Sequence, residues 1–127
     1  MLPAMHRLTS PRDFSRVVKS GSRAGSSVLV VHEVLDGPRH GAETGAVLPG
    51  PARVGFVVSK TVGNAVVRNR VKRRLRHLCK EQWSTLPDGG MIVVRAMPGS
   101  ANASYAELRV ELSRCLSRAQ KRAGSAR

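Results

Sequence analysis

The sequence predicts an α/β (α+β) two-layer sandwich, because segments typical of strands alternate with segments of helical periodicity. Three runs rich in β-branched residues, at 28–35, 53–59 and 91–97, are typical of strands. Apolar residues recur at helical spacing between and around these runs. At 127 residues, the chain is long enough for a single domain, 1–127, with a core of its own.

The first elements are predicted from capping and breaking residues. Ser10 and Asp13 can cap a helix that ends near Gly21. A short strand at 22–26 has a weaker signal than the run at 28–35 that follows it. We therefore expect the order helix, two or three strands, helix, strand, helix, with the number of strands set by the weak segment at 22–26.

Glycine and proline divide the rest of the chain. Residues 36–51 are rich in both and predict a flexible connection between strands. Pro87–Gly90 predicts a turn before the strand at 91–97. That strand is nearly continuous in apolar residues, which indicates a central place in the sheet.

Two further helices are expected. Gly63 and Asn64 open a helix that extends to about Trp83, and its apolar residues share one arc at 100° per residue. The residues of that arc are Val67, Val71, Leu75, Leu78 and Cys79. Ser104 and Glu107 predict a capping box for the last helix, and the basic segment 121–127 predicts a frayed tail.

Charge points to a polyanionic partner. The formal net charge is +14, the sequence pI is about 11.6, and nine Lys or Arg but no acidic residue lie between Glu43 and Glu81. A membrane-surface protein would require a basic helix with bulky apolar anchors free of the core. Because the apolar arc here is expected to pack and no run reaches transmembrane length, we expect no membrane partner.

The densest charge lies in residues 68–76, where six of nine residues are Arg or Lys. A solvated helix normally mixes charges of opposite sign, because like pairs at i,i+4 destabilise it by ~0.2–0.5 kcal/mol each. Here Arg70/Arg74, Lys72/Arg76 and Arg76/Lys80 are all like pairs. This pattern favours nucleic acid over a plain solvated face.

No catalytic or metal site is predicted in the protein. The eight carboxylates are scattered, and the four histidines lie in four different elements. Cys79 and Cys115 have neither C-x-x-C nor zinc-ligand spacing, which predicts reduced, packed thiols. Phe14 is open to two interpretations: a core anchor of the first helix, or a ring that stacks on a nucleotide.

A long motif then resembles a known family. Ser59 to Arg73 has the pattern S-K-x-x-G-N-A-V-x-R-N-R-x-K-R, preceded by the strand 53–58. It resembles the protein subunit of bacterial ribonuclease P. The resemblance also covers Arg7-Leu8, Asp13-Phe14, 92–95 and the last helix, which is nearly the whole chain except 36–51 and the tail.

The resemblance implies a fold and an activity. The fold would have the order α-β-β-β-α-β-α and a four-stranded mixed sheet like that of ribosomal-protein domains. Its β-α-β crossover would be left-handed, against the usual rule. The holoenzyme would be an endoribonuclease whose RNA subunit removes the 5′ leader of precursor tRNA, with Mg²⁺ held mainly by RNA. The protein would be an accessory subunit that binds this RNA and the leader, in the cytoplasm and without an obligate protein partner.

The resemblance also implies two sets of site residues. The set expected to contact the RNA subunit is Arg68, Asn69, Arg70, Lys72, Arg73 and Arg76. The set expected to line the leader cleft is Phe14, Val18, His32, Lys60 and Arg12. Relatives carry aromatic residues at the positions of Val18 and His32, so this chain departs from the family there.

Two other classes of function compete with this interpretation. A non-catalytic ribosomal or nucleoid protein would share the positive charge, and sequencing of the bound nucleic acid would distinguish it. A protein-only nuclease would need clustered carboxylates, which the sequence does not offer.

Overall fold

The computed structural model describes residues 7–35 and 51–125, which form one four-stranded mixed sheet and three α-helices. The elements follow the predicted order α-β-β-β-α-β-α. They are α1 (Pro11–Ser20), β1 (Ser22–Gly25), β2 (Leu29–Leu35), β3 (Arg53–Val58), α2 (Ala65–Glu81), β4 (Gly90–Ala96) and α3 (Tyr105–Ser125), with 3-10 helices at Trp83–Thr85 and Pro98–Ala101. Except for Pro51, the predicted flexible connection lies outside the described residues.

The strands are ordered β1-β2-β4-β3 across the sheet. β2 pairs antiparallel with both β1 and β4, whereas β3 pairs parallel with β4. The central position predicted for the apolar segment at 91–97 is therefore confirmed. The helix α2 connects the parallel neighbours β3 and β4, and the left-handed sense of this crossover stays a prediction.

The two faces of the sheet are covered differently. The face formed by Leu29, Val31, Val54, Ile92 and Val94 packs against α2 and α3 and is called here the closed face. The opposite face, called here the open face, packs against α1. It is formed by His32, Val57, Met91, Val93 and Arg95. The predicted α/β (α+β) sandwich is therefore confirmed, with α2 and α3 on one face of the sheet and α1 on the other.

Both predicted helix caps are present. The backbone N–H of Asp13 lies 3.5 Å from Ser10 Oγ, and the Asp13 carboxylate pairs with Arg53 at 3.4 Å. Ser104 and Glu107 form a reciprocal capping box, with N–H to side-chain oxygen distances of 3.1 and 3.2 Å. α1 is thus tied to β3 at its first turn, and α3 starts at a defined residue.

The closed face contains one buried carboxylate. Glu33 is 0% exposed, and its two carboxylate oxygens have no hydrogen-bond partner among the described residues. Burial raises the pKa of Glu33 to about 7. Beside it, Ser22 Oγ lies 2.7 Å from the carbonyl oxygen of Ala119 on α3 and 3.2 Å from that of Glu33.

Residues 121–125 of the predicted frayed tail are helical, and the fraying itself stays a prediction. α3 continues to Ser125, because its last turns have partners on the sheet edge. Ala119 is fully buried, and the Arg122 guanidinium donates to the carbonyl oxygen of Arg23 on β1. Residues 126 and 127 lie outside the described residues.

Candidate nucleic-acid interface

The start of the basic helix is set by Gly63 and Asn64. Asn64 Oδ1 accepts a hydrogen bond from the N–H of Val67 at 3.0 Å, which is the geometry of a helix N-cap. Gly63 has φ of 157°, and a Cβ there would lie 3.0 Å from the Val67 side chain. A side chain at this position would be both strained and crowded, so glycine allows the sharp entry into α2.

α2 divides into an apolar side and a polar side, as its periodicity predicted. Within its arc, Val67 is partly buried. The other four members, Val71, Leu75, Leu78 and Cys79, are at most 1% exposed. Of the six residues predicted to contact the RNA subunit, Asn69 and Arg73 are exposed and the other four are half-buried. His77 and Lys80 on this side are exposed as well.

Two arginines of α2 are partly occupied by the protein itself. Arg70 Nη2 donates to the carbonyl oxygen of Ala101 at 3.3 Å, and Arg74 Nη1 donates to that of Ala103 at 3.4 Å. These carbonyls lie just before α3, so the like pair Arg70/Arg74 is stabilised by two backbone acceptors. Arg70 therefore holds α2 against the segment before α3, whatever else it contacts.

The open face carries the aromatic ring that the sequence left undecided. Val17 of α1 is fully buried against Met91 and Val93, whereas Phe14 and Val18 are half-buried on the flank of the same cluster. A Cβ on Gly55 would lie 2.2 Å from Phe14 Cζ. The ring therefore lies directly on the backbone of β3, where only glycine leaves room, and one part of it stays accessible.

His32, which was predicted to line the leader cleft, is buried on the open face, and its contact with a leader stays a prediction. It is 4% exposed, and neither ring nitrogen has a hydrogen-bond partner among the described residues. Burial, with the positive charges of Arg95 and Arg23, lowers the pKa of His32, so the ring is neutral at pH 7. A neutral, buried ring can form the floor of a cleft but offers little surface for stacking.

The structure adds residues that motif-based reasoning missed. Register places Arg95 between Val30 on β2 and Val57 on β3, on the open face, with Arg23 on the edge strand beyond. Arg95 and Val57 are half-buried and Arg23 is exposed. Strand geometry places Arg95 on the same side as Val93, but the nearly continuous apolar residues of 91–97 do not show which face that side is.

Lys60 and Arg12 lie at the ends of the elements that border the open face. Both side chains are exposed; Lys60 follows β3, and Arg12 is in the first turn of α1. Together with Arg23 and Arg95 they give this side of the molecule a positive surround. Their predicted contact with a leader stays a prediction.

A cavity of about 290 Å³ joins the two predicted sets of residues. It lies between the segment before α1, the outer edge of β3 and the polar side of α2. Its lining is Arg7, Leu8, Thr9, Phe14, Val54, Gly55, Phe56, Lys72 and Arg76. Phe14 of the predicted leader cleft is therefore close to two cations that were predicted to contact the RNA subunit.

The described residues offer no obvious metal or redox chemistry. Within 7–35 and 51–125, no group of three or more His, Cys, Asp or Glu side chains could hold a metal ion. Cys79 and Cys115 are free and buried, and burial raises the pKa of Cys79 to about 12. No helix in these ranges is long and apolar enough to cross a bilayer.

Comparison with known proteins agrees along nearly the whole chain. The sequence model of the Ribonuclease P family matches residues 2–120. The "Ribonuclease P protein component" of a Nocardioides species is 52% identical over 93% of this chain and 94% of its own length. That of Streptomyces avermitilis is 48% identical over the same shares.

Solved structures show the same fold. The ribonuclease P protein of Staphylococcus aureus is 27% identical, with a TM-score of 0.71 over 88% of this chain and 93% of that one. The protein from Thermotoga maritima is 26% identical, with a TM-score of 0.71 over 88% of this chain and 96% of that one. The basic helix of this chain is capped by Asn64 and follows the edge strand of a mixed sheet. The chain belongs to the ribonuclease P protein family.

Proposed function

We propose that this protein is the RNA-binding subunit of a ribonuclease P holoenzyme that removes the 5′ leader from precursor tRNA. The observation that carries this proposal is the polar side of α2 within a chain of this family. Its cations Arg68, Lys72, Arg73 and Arg76 lie on a helix whose apolar side is packed into the core. Such an array neutralises phosphates, and Asn69 adds a donor and an acceptor for base or sugar groups.

The leader is assigned to the open face. Single strands are bound by a positive groove with rings on which bases stack. Phe14 supplies the ring, Arg12 and Lys60 supply exposed cations, and Val18 with the buried His32 completes the floor. Since Val18 and His32 offer no accessible aromatic surface, we expect Phe14 to carry most of the stacking.

Catalysis is assigned to the RNA subunit. Hydrolysis in this proposal uses Mg²⁺ held mainly by RNA, because the carboxylates of the described residues do not form a suitable set. The carboxylate next to Phe14 in the sequence is that of Asp13, and it already forms an ion pair with Arg53. The protein binds the RNA subunit, orients the substrate and reduces the repulsion between phosphates. In this proposal it acts in the cytoplasm, where tRNA precursors are made.

Reconstitution with the cognate large RNA tests the proposal. The mixture should cleave precursor tRNA at the 5′ end of the mature sequence, and it should do so at a lower Mg²⁺ concentration than the RNA alone. The lowered Mg²⁺ requirement follows from cations on α2 replacing counterions at the RNA interface. The RNA-free protein, purified in denaturant and refolded, is the control and should be inactive.

Two outcomes would contradict it. Robust cleavage by the RNA-free protein would indicate a protein-only nuclease. Recovery of ribosomal RNA or DNA as the main bound nucleic acid, with no effect on leader cleavage, would indicate a ribosomal or nucleoid protein.

A further inference from the structure

The cavity between α1, β3 and α2 has the composition of a nucleotide site. Phe14 and Phe56 line it together with Thr9 and the two cationic residues Lys72 and Arg76. Among the residues that the structure describes, no Asp or Glu lines it. At about 290 Å³ it lies at the small end of the range for ligand pockets, which is ~300–1,000 Å³.

The edge of β3 gives this cavity hydrogen-bonding groups as well. The N–H of Leu8 donates to the carbonyl oxygen of Val54 at 3.0 Å, so the carbonyl of Val54 faces the outer edge of the sheet. In a parallel pair the N–H and C=O of one residue face the same side, and every second residue repeats that direction. Phe56 therefore directs one donor and one acceptor to this edge, a pattern that can pair with the edge of a base.

The two cations differ from their neighbours on α2. Lys72 and Arg76 lie one turn apart, a like pair at i,i+4, and both are half-buried. Arg70 and Arg74 form a like pair too, but each of them donates to a backbone carbonyl. Within the described residues, no hydrogen bond or ion pair involves Lys72 or Arg76, so an anion between them would relieve their repulsion.

From these three features we infer that the cavity binds one nucleotide of a single-stranded RNA. Its base lies against Phe14 at the edge of β3, and its phosphate lies between Lys72 and Arg76. The inference rests on the proposed function and divides the basic helix into two parts. Asn69 and Arg73 face outward to the RNA subunit, while Lys72 and Arg76 serve the cavity. The nucleotide comes either from the leader or from an unpaired segment of the RNA subunit.

Three variants of the full chain test this site in the reconstituted holoenzyme. Arg76→Ala removes one phosphate-binding cation. Gly55→Ala keeps every cation but forces the Phe14 ring to move, because the new Cβ would lie 2.2 Å from Phe14 Cζ. Arg118→Ala is the charge-matched control, because it removes an exposed cation on α3 away from the cavity. Circular dichroism melts of the free proteins identify any variant that fails to fold.

Binding of precursor tRNA, mature tRNA and the RNA subunit is then measured for each protein. Arg76→Ala and Gly55→Ala should each weaken one interaction about tenfold relative to Arg118→Ala, as expected when one stacked or phosphate-bound nucleotide is released. A loss of affinity for precursor tRNA alone identifies the leader as the source of the bound nucleotide. A loss of affinity for the RNA subunit, with equal effects on the binding of both tRNAs, identifies an unpaired segment of the RNA subunit as the source.

If folded Arg76→Ala and Gly55→Ala bind all three RNAs as Arg118→Ala does, the cavity is not a nucleotide site. That result is distinct from failure of the proposed function. In the latter case the wild-type protein itself would leave leader cleavage by its RNA subunit unchanged.

Discussion

The two faces of the sheet differ in what fills them. Beneath α2 and α3, the closed face is covered by buried, mainly aliphatic side chains, and it also contains the buried carboxylate of Glu33. Beneath α1, the open face combines a small buried cluster with half-exposed Phe14, Val18, Val57 and Arg95. The closed face is built to hold the fold, whereas the open face leaves apolar and positive groups accessible to a ligand.

A single strand can serve both faces because its side chains alternate. Ile92 and Val94 of β4 point to the closed face, and Val93 and Arg95 point to the open face. Substitutions on one side should therefore change stability, and substitutions on the other should change binding. The following predictions test that separation.

Leu75→Ala on the closed face should have the largest effect. Leu75 is 0% exposed, and its truncation leaves a cavity among α2, α3 and the sheet. We expect the free energy of unfolding to fall by ~2–5 kcal/mol, measured by urea denaturation. Val66→Ala on the same helix is the control, since Val66 is 74% exposed and should change stability by less than ~0.5 kcal/mol. Equal effects of the two variants would contradict the assignment of this face.

Glu33→Gln should remove a pH-dependent weakness of the closed face. The pKa of Glu33 is raised from 4.5 to about 7, so the folded state retains a proton that the unfolded chain has lost. The free energy of unfolding of the wild type therefore falls progressively as pH rises from 4.5 to 7. The total loss from Glu33 is ~3 kcal/mol and is complete above pH 7.

The comparison of unfolding free energies at pH 5 and pH 8 measures this effect. Relative to the wild type, Glu33→Gln should gain ~3 kcal/mol between these pH values, while any constant cost of a buried amide cancels. Asp88→Asn, at an exposed turn, is the matched control. A difference between variant and wild type that does not change with pH would show that the buried carboxyl ionises normally.

Phe14→Ala should act mainly on binding. Its ring is half-buried over Gly55, so part of its surface is available to a base. We expect the holoenzyme to lose ~1–3 kcal/mol of affinity for precursor tRNA and none for mature tRNA. The melting temperature should fall less than in Leu75→Ala. A large drop in melting temperature with equal losses for the two tRNAs would identify Phe14 as a core residue.

Replacing Arg68 and Arg73 by Ala should change the salt dependence of RNA-subunit binding. For every phosphate that is no longer neutralised, the slope of log K against log salt should flatten by roughly 0.7–0.9. Arg70 is left intact, because it also holds Ala101. An unchanged slope in a folded double variant would mean that this side of α2 does not face the RNA subunit.

The sequence predicted most of the fold and less of the site. The arc of α2, the capping box at Ser104 and the central place of β4 follow from local patterns, and all three are confirmed. The burial of Glu33 could not be predicted. Because β2 is apolar on both sides of His32 and Glu33, it has no period of two that would assign a face.

The cavity and the carbonyl partners of the arginines depend on tertiary placement. Thr9, Phe56 and Arg76 are far apart in the chain and meet only when β3 forms the sheet edge beside α2. Likewise, Arg70 finds Ala101 because the segment before α3 returns to the side of α2. No local pattern in the sequence predicts such contacts.

The most direct test of the open face is the affinity of the RNA subunit for its tRNA ligands. It is measured for precursor tRNA and for mature tRNA, each with and without this protein. If that face binds the leader, adding the protein tightens binding of precursor tRNA and leaves binding of mature tRNA unchanged. An equal gain for both tRNAs, or none for either, would contradict leader recognition by the open face.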